Sequence, residues 1–343
     1  MATTPDTPAR EGNSLRPSPP AASRTAGLGT VLTVFALITV LTVGILGRDL
    51  WGQWLNGNPA AATWVAVFIA IALQAFPFLV LGVALSAVIA VYIPADTLRS
   101  YLPENAAAAV PVAGISGALL PGCECASVPI AGSLVARGVA PAAALTFLLA
   151  APAINPVVLV STSVAFGGDW RIVLARYLAS LITSVVMGWW WLRMGRDDLI
   201  RLPQRGRSGG SKFNRFTTAI THDLLHAGGF LVVGAAIAAV VAVFVPRSIL
   251  EALSSNLALA VITLALFAVI VAVCSEADAF VAASLTAFPL TARLVFMVVG
   301  PALDVKLFAM QVGTFGRAFA IRFAPMTLLV AVTSAVVIGQ VLL

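Results

Sequence analysis

Long apolar stretches, separated by short polar or Gly/Pro-rich segments, run through most of the chain. The first, at residues 28–46, approaches the ~20 residues that a helix needs to cross a bilayer. Further stretches follow at 63–93, 106–121, 126–137, 141–166, 170–192, 223–245, 257–274, 279–289, 294–312 and 318–342. Two of them, 126–137 and 279–289, fall short of the roughly 17 residues of a crossing helix, as broken or re-entrant helices do. The pattern therefore predicts an all-α polytopic membrane protein with broken or re-entrant helices.

The apolar pattern of the first half recurs in the second half. Residues 78–94 and 230–246 align without a gap and share ten of 17 residues, at an offset of 152. Later landmarks keep their order at nearly the same offset: Cys123 corresponds to Cys274, and Asn155 to Asp304. Composition alone does not produce landmarks in this order, so the chain contains an internal duplication.

The distribution of basic residues predicts how the two halves are oriented. Seven basic residues lie between Arg193 and Arg215, and three more lie in the N-terminal tail. Cytoplasmic segments are enriched in Lys and Arg, so both segments are expected inside. Each half must then cross an odd number of times, by three full spans and a re-entrant hairpin or by five crossings. Two such halves face opposite ways, which predicts two inverted-topology repeats with a solute site near the midplane.

The same features divide the chain into five segments. We predict a disordered cytoplasmic tail at 1–26, because this Pro-, Ser-, Thr- and Ala-rich segment has no apolar run. The other segments are an N-terminal span and loop at 27–62, repeat 1 at 63–193, a basic cytoplasmic loop at 194–221 and repeat 2 at 222–343.

Composition agrees with a membrane protein and narrows its function. Hydrophobic residues make up 60% of the chain and charged residues 10%, whereas soluble domains carry roughly 45–50% and about 25%. A soluble enzyme, a nucleic-acid-binding module and a disordered scaffold are therefore excluded. No G-x-x-x-x-G-K-[ST] segment occurs, so the chain is not expected to hydrolyse ATP. The expected partners are a small solute and the lipid bilayer, with no enzymatic activity and no cofactor.

Ionisable and thiol side chains recur at the points where the apolar pattern is interrupted. Such residues are costly in a membrane and normally face the interior of the helix bundle. One group follows a Pro–Gly pair and the corresponding group lies in repeat 2: Cys123, Glu124 and Cys125, and then Cys274, Glu276 and Asp278. Asn155 and Asp304 each follow a proline, as at a helix break. Lys306 can neutralise Asp304 only if the helix is broken there, because residues i and i+2 do not share a helix face.

These residues leave three functions open. Thiolates prefer soft centres, so Cys123, Cys125 and Cys274, with Asn155, are candidates to bind a thiophilic solute. The candidates for proton coupling are Glu124, Glu276, Asp278, Asp304 and Lys306. Alternatively, Cys123 and Cys125 form the redox pair of a membrane thiol oxidoreductase, although such pairs more often have C-x-x-C spacing. In the third case the cysteines only pack, and the permease carries an unrelated solute. His222 and His226 are expected on an interfacial helix, and no metal site is expected.

Four segments occur in order: P-G-C-E-C-A-S-V-P, F-L-L-A-A-P-A-I-N-P, C-S-E-A-D-A-F and G-P-A-L-D-V-K. Over about residues 60–343 the chain resembles the ArsP-type predicted permeases, which include efflux permeases for trivalent organoarsenicals. The resemblance implies a plasma-membrane permease with about eight spans and no nucleotide-binding domain, whereas the parity argument requires seven or eleven. It favours secondary-active efflux of a thiophilic solute. Glu276 stands where the family usually has a small polar residue, a departure that concerns the substrate more than the fold.

Overall fold

The computed structural model describes residues 57–92, 103, 105–119, 124–200, 212–244 and 256–343. These residues form twelve α-helices and no strand. The predicted tail, the predicted first span, residues 201–211 of the basic loop and Cys123 lie outside the described residues. Those predictions therefore stay predictions.

The first half of the described chain contains six helices. They are α1 (Pro59–Tyr92), α2 (Ala106–Ser116), α3 (Glu124–Ala136), α4 (Pro141–Ile154), α5 (Pro156–Ala165) and α6 (Trp170–Met194). The second half repeats this order with α7 (Lys212–Phe244), α8 (Leu257–Val271), α9 (Asp278–Ser284), α10 (Leu290–Ala302), α11 (Val305–Phe315) and α12 (Arg317–Leu342). Every apolar stretch from residue 63 onward thus corresponds to a helix or to a pair of consecutive helices.

Within the described ranges, six segments are long and apolar enough to cross a membrane: α1, α4–α5, α6, α7, α10–α11 and α12. Three of them belong to each half, as expected for three full spans beside a re-entrant hairpin. Helices α2, α3 and α8 are apolar but shorter, and α9 has only seven residues. The all-α polytopic fold with broken helices is confirmed, and the inverted orientation of the halves stays a prediction.

Each half contains one span that is broken at a polar residue. Asn155 separates α4 from α5 in an extended conformation (φ −69°, ψ 157°), and Asp304 separates α10 from α11 in the same way (φ −137°, ψ 173°). Pro156 directly follows the first break, and Pro301 lies in the last turn of α10, three residues before Asp304. Proline lacks the N–H that a continuous helix requires. The Asn155 side chain accepts a hydrogen bond from the Val158 N–H, and the Asp304 side chain accepts one from the Leu307 N–H. The polar side chain thereby caps the next helix and stabilises the break.

The broken spans form the centre of the molecule. Every residue of α4 after its first is buried, and α4 packs against α6 of its own half and α10 of the other. Two further contacts between the halves are reciprocal: α3 packs against α11, and α9 packs against α5. We call α3 and α9 the hairpin helices, because they lie at the positions of the predicted re-entrant segments. The hairpin helix of each half therefore contacts the second part of the other half's broken span, and the motifs predicted from the sequence meet there.

Candidate functional site

Lys306 is the centre of a buried ionic cluster. It lies in the first turn of α11, directly after the helix break, and its side chain is fully buried. Its Nζ donates to Glu124 Oε1 at 2.6 Å and to the Ala272 carbonyl at 3.4 Å. Asp304 Oδ2 lies 3.6 Å from the same Nζ, which the break between α10 and α11 makes possible. Because Glu124 is the first residue of α3, this ion pair joins the two halves.

Two of the three cysteines are buried and interact with this ammonium group. Cys125 on α3 and Cys274 after α8 are both buried. Cys274 Sγ lies 3.9 Å from Lys306 Nζ, and both thiols interact electrostatically with Lys306. One thiol from each half is thus placed near the same point, whereas Cys123 lies outside the described residues.

Arg176 and Asp278 form a second buried ion pair between the halves. Arg176 lies on α6 and is fully buried, and its Nη2 donates to Asp278 Oδ2 at 2.7 Å. The guanidinium also donates to Thr162 Oγ1 at 2.8 Å and to the Ser275 carbonyl at 3.2 Å. Asp278 is one of the residues predicted from the sequence, whereas Arg176 is not. Arg176 is an ionisable residue within an apolar stretch, and that signal identifies it.

The two ion pairs belong to one electrostatic network. Glu276 interacts electrostatically with Glu124, Lys306 and Arg176, and Asp278 interacts with both Glu124 and Glu276. The predicted proton-coupling residues of the two halves are therefore brought together.

Acids outnumber bases in this network. Among the described residues, the ion pairs of these four acids involve two bases: Lys306 contacts Glu124 and Asp304, and Arg176 contacts Asp278. Each acid also keeps one buried oxygen that receives no hydrogen bond from the described residues. A buried carboxylate without a partner is expensive, and such groups normally take up a proton or contact a bound species. The arrangement is chemically suited to binding protons or a positively charged group.

Asn155 is fully buried at the break between α4 and α5. Besides capping α5, its Nδ2 donates to the Ala151 carbonyl at 3.0 Å. These two bonds hold the break in place, and a contact of Asn155 with solute stays a prediction.

The two histidines lie on α7, apart from the ionic network. His226 Nε2 contacts the Gly313 carbonyl at 2.9 Å and so connects α7 to α11. His222 is exposed and lies 3.3 Å from Asp223. Among the described residues no group of three or more His, Cys, Asp or Glu side chains could hold a metal ion.

Comparison with known proteins decides the family. A family model described as a predicted permease, ArsP_1, matches residues 60–340. The chain belongs to this family. A Streptococcus mutans serotype c protein, described as a subunit of a two-component membrane permease complex, is 31% identical over 80% of this chain and 94% of its own length. The UPF0718 protein YcgR of Bacillus subtilis strain 168 is 31% identical over 74% of this chain and 89% of its own length. No solved structure matches the chain.

Family membership fixes the general class of this protein. Together with the six membrane-length helical segments found among the described residues, it makes the chain a multi-pass cell-membrane protein of a permease family. The resemblance noted from the four sequence motifs is confirmed. Neither relative supports the alternative of a thiol oxidoreductase.

Proposed function

We propose that this permease is a secondary-active exporter of a small thiophilic solute, such as a trivalent arsenical or organoarsenical. The observation that carries the proposal is the placement of Cys125 and Cys274. They come from opposite halves, they are buried, and both interact electrostatically with Lys306, with Cys274 Sγ 3.9 Å from its Nζ. A soft centre binds thiolates strongly, and a monomethylated trivalent arsenical has two positions for them. Cys123 is the third candidate ligand, and Asn155 at the neighbouring break is a candidate to contact the solute.

The acidic network supports coupling of this transport to protons. A thiol must lose its proton to become a ligand, and Glu124, Glu276, Asp278 and Asp304 provide acceptors at the same interface. Proton uptake by these acids, with Lys306 as their cationic partner, then exchanges protons for solute. Solute sites at the interface of two inverted halves are opened alternately to each side by motion of one half against the other.

The direct test is a crosslink made by a bifunctional trivalent arsenical in the full-length protein. Mass spectrometry is expected to find the arsenic bridging the peptide with Cys123 and Cys125 to the peptide with Cys274. The pentavalent form of the same compound does not bind thiols and is the matched reagent control. Cys274→Ser must abolish the crosslink. A crosslink confined to Cys123 and Cys125 contradicts a shared site.

The functional test uses the three single Cys→Ser variants, because serine is close to cysteine in size. Each is expected to lower resistance to trivalent organoarsenicals in a sensitive host while its abundance in the membrane stays unchanged. Efflux from everted vesicles must fall in parallel. Normal export by all three variants would mean that the cysteines only pack and that the permease carries another solute.

A further inference from the structure

The two buried ion pairs have the same construction in opposite directions. Glu124 is the first residue of the hairpin helix α3 in the first half, and it pairs with Lys306 of the second half. Asp278 is the first residue of the hairpin helix α9 in the second half, and it pairs with Arg176 of the first half. The start of each hairpin helix is therefore attached to the opposite half by one carboxylate and one cation.

Burial makes these two attachments different from an ordinary surface ion pair. The Arg176 and Asp278 side chains are 0% and 1% exposed, whereas Arg196 and Asp198, which pair at 2.8 Å, are 63% and 61% exposed. Removing one partner of a buried pair leaves an uncompensated charge away from water, whereas removing a surface partner does not. Breaking either buried pair is therefore expected to cost far more than breaking the exposed pair.

Arg176 and Asp278 share a single hydrogen bond. Guanidinium and carboxylate groups commonly form two parallel hydrogen bonds. Here only Nη2 and Oδ2 meet, and the buried atoms Arg176 Nε, Asp278 Oδ1 and Ser275 Oγ receive no partner among the described residues. These three atoms have unused bonding capacity, so the same residues can also form a second set of hydrogen bonds. This pair is suited to opening and re-forming.

We propose that Arg176 is a positioning residue of the transport cycle. While its guanidinium holds Asp278, the 274–278 segment and α9 are fixed against α5 and α6, and this contact opens once in each cycle so that the halves can move. Glu124–Lys306 is the companion contact at the other hairpin. The inference rests on the alternating motion in the proposed function, and it is independent of which solute is carried.

Labelling of Cys274 from each side of the membrane tests this inference. Cys274 is buried one residue from Ser275 and four from Asp278, so its accessibility reports on the 274–278 segment. Right-side-out and everted vesicles with the full-length protein are treated with a membrane-impermeant maleimide. Modification of the Cys274 peptide is then quantified by mass spectrometry, and the ratio of the two sides measures the balance between the two arrangements.

Arg176→Gln and Asp278→Asn are expected to change this ratio in the same direction by about tenfold, a typical size for coupling between two states. Arg176→Lys keeps the charge, so its labelling ratio is expected to lie between those of the two neutral variants and that of the wild type. Arg196→Gln removes the same type of side chain from the exposed pair and must leave the ratio unchanged. With both ionic partners removed, Arg176→Gln/Asp278→Asn is expected to match the single variants.

Three results would overturn the inference. Labelling that rises equally from both sides means that the pair only maintains the structure. An unchanged ratio in Arg176→Gln and Asp278→Asn means that the contact does not bias the halves. If neither variant, nor the reversed pair Arg176→Asp/Asp278→Arg, accumulates in the membrane, the pair serves folding alone. Because labelling needs no solute, a shifted ratio without an arsenical crosslink retains the inference and rejects the thiophilic solute.

Discussion

Asp304 both caps a helix and carries a charge. The equivalent residue of the first half, Asn155, shows how the two roles can be separated. Its side chain accepts the Leu307 N–H at the start of α11, as Asn155 does for Val158 at the start of α5. Asparagine and aspartate cap helices about equally well. The first half therefore keeps the cap without a charge, while the second half adds a carboxylate 3.6 Å from Lys306 Nζ.

We expect Asp304→Asn to preserve the fold and to abolish proton-driven efflux, because the cap remains and the titratable group is lost. Glu276→Gln is expected to act in the same way. Asp304→Ala is the structural comparison, since it also removes the cap and should lower the free energy of unfolding by about 1 kcal/mol. Thermal unfolding in detergent and efflux driven by an imposed pH gradient measure the two effects. Wild-type efflux in both amide variants would deny these acids a transport role.

The Glu124–Lys306 pair should show strong coupling between its two members. Lys306→Met leaves Glu124 buried without its cation and is expected to destabilise the protein by about 3–5 kcal/mol. Adding Glu124→Gln removes the stranded charge, so the double variant should be more stable than Lys306→Met alone. A double-mutant cycle of unfolding free energies measures the coupling. Additive effects of the two substitutions would show that the 2.6 Å contact has little energetic weight.

Most charged residues of the network can be predicted from the sequence, but only part of their pairing can. An acid within an apolar stretch is conspicuous, so Glu124, Asp278 and Asp304 could be selected, and the Asp304–Lys306 contact followed from the helix break. Glu124 and Lys306 are 182 positions apart, and no local pattern predicts which distant cation meets which acid. Arg176 was missed because the apolar stretch at 170–192 has the composition of an ordinary span and its partner lies 102 positions away.

At the scale of helices, two glycines at equivalent positions of the duplication allow close contacts. Gly82 in α1 and Gly234 in α7 are separated by the repeat offset of 152 residues. A Cβ on Gly82 would clash with Ala126 Cα in α3, and a Cβ on Gly234 would lie 2.8 Å from Lys306 Cα in α11. Each long helix therefore approaches an element of its own half that carries part of the ionic network.

Gly234→Ala is expected to destabilise the protein by about 1–3 kcal/mol, because the new methyl group pushes against the α11 backbone. It should also reduce transport, since that backbone carries Lys306. Gly229→Ala is the matched control in the same helix, where an added Cβ meets nothing within 4 Å. The control should be neutral or stabilising by up to about 1 kcal/mol. Equal unfolding temperatures for the two variants in detergent would contradict the close packing of α7 on α11.

Hydrophobic runs determine where the helices can be predicted and where they cannot. The stretch at 170–192 closely matches α6, Trp170–Met194, because apolar residues continue to its end. The stretch at 223–245 misses the beginning of α7, which starts at Lys212. Residues 212–222 are largely polar, so the membrane signal is absent although the helix continues. Hydropathy therefore predicts the apolar part of a span better than its polar extension.

At the scale of the whole molecule, the described helices agree with a duplicated permease. Three membrane-length segments and one short hairpin helix per half occupy equivalent positions, and α3–α11 and α9–α5 are reciprocal contacts. With the predicted first span at 28–46, the six described segments make seven crossings, the lower of the two totals that the parity argument allows. An odd number of crossings in each half requires opposite orientations, so the total and the orientation must be tested together.

A reporter fused after Leu343 tests both, because it reads the side on which the last span ends. We expect it to read external, while reporters at the N-terminus and within the basic loop at 193–215 read cytoplasmic, since Lys and Arg are retained on that side. The loop reporter is the internal control, because it tells whether the first or the second half crosses the membrane an even number of times. A cytoplasmic reading at Leu343 would leave the duplication intact, but it would mean that only one half crosses an odd number of times, which contradicts two inverted repeats. The ion pairs Glu124–Lys306 and Arg176–Asp278 would then join two halves with different numbers of crossings, and alternating access by inverted repeats would no longer describe their motion.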